Sequence, residues 1–331
     1  MKALSLFSGA GGDTLGMSLA GVDVVAYSEL KPRFCETHDA NFGGGCHLLG
    51  NDISKISDED FATLRGQVDI IFAGFPCQPF SHGGKKKGRE DPRGQMYIQF
   101  ARAARIIQPK WIIGENVAGL ARRTEDMTEI LAEFMRAGYS CDHRTYKTDC
   151  FGVPQKRERL IILGKRGDEK PVLRDPPDNP KVGLQHILKF DMEGALRVPT
   201  ETFDGIPPEC ILTDLKNTVD ADQNPHPYLV RQQNMELGFS FGKRDSPYHC
   251  EIVDLRKPSK TIICTYDHQP RLLVPLRNAK GCWVRAMGPD ELKMIQGFPA
   301  DYTLCGSTKE RVVQVGNAVP PQLIQWVCEG L

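Results

Sequence analysis

The chain has 331 residues, with 42 Lys and Arg against 42 Asp and Glu. That length allows one large α/β domain or a large domain with a smaller one, and zero formal charge excludes a uniformly basic nucleic-acid binder while leaving room for a one-sided basic cleft. Eleven cysteines form no CxxC pair and no Cys/His cluster at metal-ligand spacing. With no signal peptide and no apolar run near the ~20 residues that cross a bilayer, they point to a reducing, cytoplasmic setting, no membrane and no metal.

From the N-terminus, short β-type runs alternate with helical patterns. ALSLF (3–7), VDVVAY (22–27), VDIIFAG (68–74), WIIGEN (111–116) and RLIILGK (159–165) read as buried strands. Residues 94–107 and 125–137 read as amphipathic helices, the second with Met127, Ile130, Leu131, Phe134 and Met135 on its apolar stripe. This alternation predicts a doubly wound, mostly parallel sheet. After about residue 166 the texture becomes rich in Pro and charge, and 185–280 read as a smaller, loop-rich second domain. Two helices close the chain, one after Pro289 and one opening on Pro320 and Pro321 with Leu323, Ile324 and Val327 on one face.

In an open α/β sheet, ligands bind beyond the carboxyl ends of the strands. The first strand is followed by SGAGGDTLG, whose glycines at 9, 11 and 12 permit a tight turn. The second ends at Glu29, placed for ribose hydroxyls, and a weak third strand ends at Asp52. The next leads to Cys77 between Pro76 and Pro79, a rigid shaped loop, and the next to Glu115. Taken singly, the glycines could be an ordinary turn, Cys77 inert filler, Glu29 and Asp52 solvated, and Glu115 a helix cap. Their shared edge favours a nucleoside-like ligand. NAD fits less well, because Thr14 stands where the dinucleotide fingerprint wants a third glycine. Two stretches are locally basic: 82–93, with Lys85, Lys86, Lys87, Arg89 and Arg93, and 155–166, with Arg157 and Arg159.

The blocks FSGAGG (7–12), GFPCQPFS (74–81), GENVAGL (114–120), FGVPQKRERL (151–160) and QVGNAVPP (314–321), in this order, resemble the DNA (cytosine-5) methyltransferase family. The resemblance implies S-adenosylmethionine as methyl donor on a Rossmann-like sheet, and a cytosine flipped out of duplex DNA as acceptor. It implies three parts: a catalytic domain over 1–165, a target-recognition domain over 166–282, and a segment over 283–331 returning to the first. Cofactor contacts are implied for Phe7, Gly9, Gly11, Glu29, Asp52, Ile53, Gly74 and Asn317. Cys77 matches the nucleophile, Glu115 the residue on the N3 edge of the base, Arg159 the contact to O2, and Arg157 a phosphate or structural contact within the same catalytic block. Gln78, Ser81, the basic loop and Thr261, in PSKTI (258–262), match the DNA side. Arg231, Gln232, Gln233, Asn234, Lys243 and Arg244 have side chains able to read base edges.

RAMGPDE (285–291) departs from the usual pattern by carrying Asp290 where Arg is expected, with Arg285 and Glu291 kept. The resemblance is to stand-alone bacterial or phage enzymes, which suggests a monomer protecting DNA from a cognate restriction endonuclease. A tRNA cytosine-5 methyltransferase and a silent DNA-binding relative are the competing readings.

Overall fold

Alternate residues of each central strand are apolar on both faces, as a strand covered on both sides requires. The computed structural model describes residues 1–76, 96–236, 238–244 and 249–331. Its first half runs β1 (Lys2–Leu6), α1 (Gly12–Leu19), β2 (Asp23–Ser28), α2 (Pro32–Phe42), β3 (His47–Gly50), α3 (Asp58–Thr63), β4 (Ile70–Ala73), α4 (Met96–Ile107), β5 (Trp111–Val117), α5 (Thr124–Arg136), β6 (Tyr139–Lys147), β7 (Gln155–Lys156) and β8 (Glu158–Arg166). Seven of these strands form one sheet in the order β3-β2-β1-β4-β5-β8-β6. The first five are parallel, and β8 is antiparallel to both neighbours. The fold is the doubly wound α/β sheet expected.

Leu4, Leu6, Ile71 and Ala73 face one core with Phe61, Phe100, Ile130 and Phe134 of α3, α4 and α5. Ala3, Ile70 and Phe72 face the other, with Met17 of α1 and Leu323, Ile324 and Val327 of the last helix. Two details differ from the sequence analysis. β6 is a strand that the analysis does not name, because it is a mostly polar edge strand with little alternation. Met135, expected on the stripe of α5, is 69% exposed. Eight residues on from Met127 it has rotated about 80° off the buried face.

The second sheet is built from β9 (Leu196–Val198), β10 (Leu212–Asp214), β11 (Phe239–Phe241), β12 (Cys250–Ile252), β14 (Leu272–Asn278) and β15 (Gly281–Arg285), with α6 (Pro227–Asn234) beside it. The remaining strand, β13 (Ser259–Lys260), pairs instead with β7, one residue before β8. The second sheet is also double-sided. Leu273 and Val284 face Tyr228 and Leu229 of α6, whereas Val274 and Trp283 face α7 (Pro289–Ile295) and α8 (Thr308–Asn317).

The last helix, α9 (Pro321–Cys328), lies against α1. Gly16 makes this contact possible: a Cβ there would lie 2.4 Å from the Pro321 carbonyl oxygen and 2.7 Å from the Ile324 Cβ. Asp290 has found partners of its own. Its carboxylate pairs with Arg311 at 2.6 Å and Lys293 at 3.3 Å, while Arg285 and Glu291 form a two-bond fork at 2.7 and 2.8 Å.

Alanine is the better helix former by about 1 kcal/mol, yet overpacking typically costs about 1–3 kcal/mol. Gly16→Ala is therefore expected to lower the melting temperature. An unchanged or raised melting point in a thermal scan would show that α1 and α9 part without cost.

Candidate active site

Parallel strands put their carboxyl ends on one edge, and an antiparallel neighbour puts its amino end there. β1, β2, β3, β4 and β5 thus deliver Phe7 to Gly12, Glu29, Asp52, Gly74 and Glu115 to one edge, and β8 delivers Arg159. The register pairs Val117 with Arg159 across β5 and β8. That crossing brings Arg159 Nε to 2.7 Å from Glu115 Oε1, with the two side chains only 11% and 12% exposed. Burial pushes the Glu115 carboxyl above its usual range, against the pull of Arg159 and Arg157. A carboxyl held this way keeps its proton closer to neutral pH and can donate it to a ligand.

Gly74 opens the loop toward Cys77. A Cβ on Gly74 would lie 3.5 Å from Glu115 Oε2, so the start of the loop passes directly over the carboxyl. Asn116 then fixes the approach: its buried amide donates to the Phe75 carbonyl at 3.0 Å. Phe75 packs at the ring of Phe100 and over Gly114, where a Cβ would meet it at 3.3 Å. Asn116 is a positioning residue that the sequence analysis passed over; its place between Glu115 and Val117 at a strand end is the available signal. Cys77, Gln78, Ser81, Lys85, Lys86, Lys87, Arg89 and Arg93 lie outside the described residues.

The cofactor candidates divide. Phe7 has φ 58°, a left-handed conformation unusual for an aromatic residue, and Gly9 follows at 57°. Glu29 accepts from the Gly9 and Lys31 amides at 2.9 Å each, one bond per oxygen, which leaves lone pairs for further donors. Asp52 accepts from the Ser54 amide and hydroxyl, and these bonds hold its carboxyl below the usual range. Ile53 is buried. Leu30, 64% exposed beside Glu29, is a further apolar surface that the sequence analysis did not single out. Gly11 is also needed for packing. A Cβ there would strike the Tyr302 hydroxyl at 2.7 Å and the Phe42 ring at 2.8 Å, so this glycine serves packing against the C-terminal segment. Asn317 is exposed at the end of α8.

Carboxylates with free lone pairs, an open turn at Gly9 and apolar surface at Leu30 suit a purine nucleoside with ribose hydroxyls. S-adenosylmethionine therefore fits these residues. Asp13 lies beneath the turn. It is fully buried and accepts from the Ser5 hydroxyl; burial pushes its carboxyl up to about 7.

Beyond Arg159 opens a cleft of about 740 Å³ lined by Lys147, Asp149, Cys150, Lys156, Lys181 and Thr261 among others. Thr261 donates to the Lys156 carbonyl at 2.8 Å. Arg157, by contrast, is 2% exposed and spends its guanidinium on the carbonyls of Ile262 and Gly316. These bonds give Arg157 a structural place, and it also lines the cleft beside Arg159. Among the base-reading candidates, Gln232 is buried, and Gln233 donates to the Arg197 carbonyl at 3.1 Å. Arg231, Asn234, Lys243 and Arg244 are exposed. Among the described residues there is no cluster that could hold a metal, and no helix long and apolar enough to cross a membrane.

This edge of a doubly wound sheet gathers a glycine turn, the carboxylates of Glu29 and Asp52 and the buried Glu115–Arg159 pair, the arrangement of an α/β enzyme that binds a nucleoside-like ligand at its strand ends. The family model for C-5 cytosine-specific DNA methylases matches residues 1–331, and the chain belongs to that family. It is a cytosine-5 methyltransferase. It is similar to the Type II methyltransferase M1.HphI of Haemophilus parahaemolyticus, 30% identical over 341 residues covering 99% of this chain and 86% of the relative. Likewise M.NgoFVII of Neisseria gonorrhoeae is 31% identical over 97% of this chain and 83% of its own length. Among solved structures, the Entamoeba histolytica methyltransferase EhMeth superposes with a TM-score of 0.67 at 16% identity, over 100% of this chain and 97% of that one. A Spodoptera frugiperda DNMT2 mutant superposes at 0.65 and 18% identity, over 98% and 97%. These two likenesses speak for the fold.

Asp13 supplies a pH test. Its carboxyl ionises at about 7 in the folded chain against the ordinary 3.8, so between those values the folded state holds a proton that the unfolded state has lost. The stability this adds is complete below about 4 and is lost as pH rises through 7. Asp13→Asn has no such loss, so its melting temperature relative to the parent is expected to rise from pH 5 to pH 8. Parallel curves would show that Asp13 does not titrate in that window.

Proposed function

We propose that this protein transfers a methyl group from S-adenosylmethionine to C5 of a cytosine flipped out of duplex DNA, within a short specific sequence. The observation that carries the reading is the buried Glu115, its carboxyl pushed above the usual range by burial, paired with Arg159 at 2.7 Å beneath Gly74, where the Pro-Cys-Gln loop begins.

Carbon C5 of cytosine is a weak nucleophile. Addition of the Cys77 thiolate to C6 pushes electron density to C5, which is the use of a covalent intermediate. Glu115 donates to N3 as negative charge develops on the ring, and Arg159 both orients Glu115 and faces O2. Glu29, Asp52, Ile53, Gly74 and Asn317 would hold the methyl donor, which supplies an electrophilic methyl group when bound. After transfer a base acting through water takes the C5 proton, the C–H electron pair re-forms the C5–C6 double bond, and the C6–sulfur bond breaks to restore the thiolate. The target carbon lies inside the base stack, so flipping costs about a few kcal/mol. Lys85, Lys86, Lys87, Arg89 and Arg93, following Cys77 in the chain, suit phosphate contacts that offset this, together with Gln78, Ser81 and Thr261.

In this reading the division into 1–165, 166–282 and 283–331 separates catalysis, sequence recognition and the returning segment. The two relatives are named Type II methyltransferases, which supports protection of DNA against a cognate restriction endonuclease; a monomer acting on a short sequence completes the reading.

Purified protein is incubated with tritiated S-adenosylmethionine and either unmethylated duplex DNA or total tRNA. Label in DNA that disappears in Cys77→Ser is the expected result; label confined to tRNA would transfer the substrate to RNA, and none in either would overturn the reading. Glu115→Gln is expected to lower turnover by about 10²–10⁴-fold, the usual contribution of acid–base catalysis. Because the raised Glu115 keeps its proton below its shifted pKa and loses it above, the parent's rate falls on the alkaline side. That limb flattens in the variant. Full turnover with the parent's pH profile would remove Glu115 from the chemistry.

A further inference from the structure

Thr261 and Asn317 face different ligands in the proposed reading, DNA and the methyl donor, yet one buried hydrogen-bond system grips the backbone beside both. Ile262 is held at each of its backbone polar groups. Its N–H donates to Gln155 Oε1 at 2.9 Å, and its carbonyl accepts from Arg157 Nη1 at 2.9 Å. The other arm of the same guanidinium donates to the Gly316 carbonyl at 2.7 Å. Gln155 passes the connection on, its Nε2 donating to Gln296 Oε1 at 2.5 Å, and Gln296 Nε2 donates to the Ala318 carbonyl. The carbonyl before Asn317 is thus bound by Arg157, which also binds Ile262, and the carbonyl after it by Gln296, which reaches Ile262 only through Gln155. Gln155 and Gln296 are 0% exposed. The two segments also touch directly: a Cβ on Gly316 would lie 2.4 Å from the Cys264 amide nitrogen.

A buried network of this kind has one arrangement in which every amide is satisfied, and water cannot replace a broken link. Shifting the Thr261 segment breaks bonds to Gln155 and Arg157, and those residues then lose their aim at Gly316, Gln296 and Ala318. The placement that presents Thr261 and the one that presents Asn317 are therefore the same placement. A ligand that stabilises either side stabilises the other, and by linkage the effect is reciprocal.

We propose that Gln296 is a positioning residue that couples the two ligand sites, so that DNA and the methyl donor bind with positive cooperativity through Gln155–Gln296–Ala318. The inference rests on the reading of Asn317 as donor-side and Thr261 as DNA-side.

The test titrates the full chain with S-adenosylhomocysteine by calorimetry, without and with sheared unmethylated duplex DNA. In the parent, DNA is expected to tighten S-adenosylhomocysteine by 5- to 150-fold, the range of ordinary allosteric coupling. In Gln296→Met, of similar length but with no amide, the ratio is expected to fall below about two-fold, with each probe alone weakened far less. A merely structural role lowers the melting temperature and weakens both probes while leaving the ratio intact, and that result overturns the proposal. Gln296→Glu serves as the second variant, since its carboxylate still accepts from Gln155 but repels the Ala318 carbonyl. Failure of the parent to bind S-adenosylhomocysteine at all removes the proposed function and the coupling with it. Binding of both probes to the parent without coupling overturns the coupling alone.

Discussion

The pairing of β5 with β8 is the constraint on which the site depends. Antiparallel insertion of β8 between β5 and β6 turns its amino end toward the edge where β1 to β5 end. Only that sense of pairing lets Arg159 meet Glu115 on a neighbouring strand. It also forces the preceding residues, 155–157, to lie over the same edge, where β7 picks up β13 from the recognition half of the chain. One strand direction thus fixes the Glu115–Arg159 pair, the meeting of β7 with β13 and the Arg157 bonds to Ile262 and Gly316.

Electrostatics follows from the same geometry. Glu115 and Arg159 are both nearly out of water, where neither is stable alone and each makes the other acceptable. Arg157 is buried more deeply, with its ionised form opposed by burial and by Arg159, and it is satisfied by carbonyl oxygens instead of a carboxylate. Two arginines two residues apart therefore do different work: one pairs with the Glu115 carboxyl, the other ties three segments of backbone together.

Much of this was legible in the chain. The strands leading to Glu29 and Gly74 and the one carrying Glu115 can be placed from apolar runs alone, because buried parallel strands are continuous in β-branched and aromatic residues. The order of blocks carried the family. What could not be read were relations between distant residues. Arg157 and Arg159 sit in one basic stretch, and nothing local says that one points inward. Gly11 looks like part of a ligand turn, but its lack of a side chain is required by Tyr302, almost the whole chain away. Gln232 belongs to a polar run, RQQN, that suggests a reading surface; the helix turns that residue into the core beside Leu229. Asp290 departs from the family pattern, and only the fold reveals Arg311 and Lys293 waiting for it.

The contact of Gly316 with Cys264 bears on how new sequence specificity can arise in such a protein. The second sheet has its own two cores, and the run Ser259 to Cys264 ties it to the first half of the chain, where Ser259 donates to the Pro154 carbonyl and Ile262 is bound at both backbone groups; Cys264 lies against Gly316. A foreign segment spliced in with its own version of that run must still place the backbone groups that meet Gln155, Arg157 and Gly316. A splice that keeps residues 258–264 and exchanges only the loops and α6 leaves the grip untouched. Recombination between relatives would therefore leave viable hybrids mainly when the crossover spares this short tether.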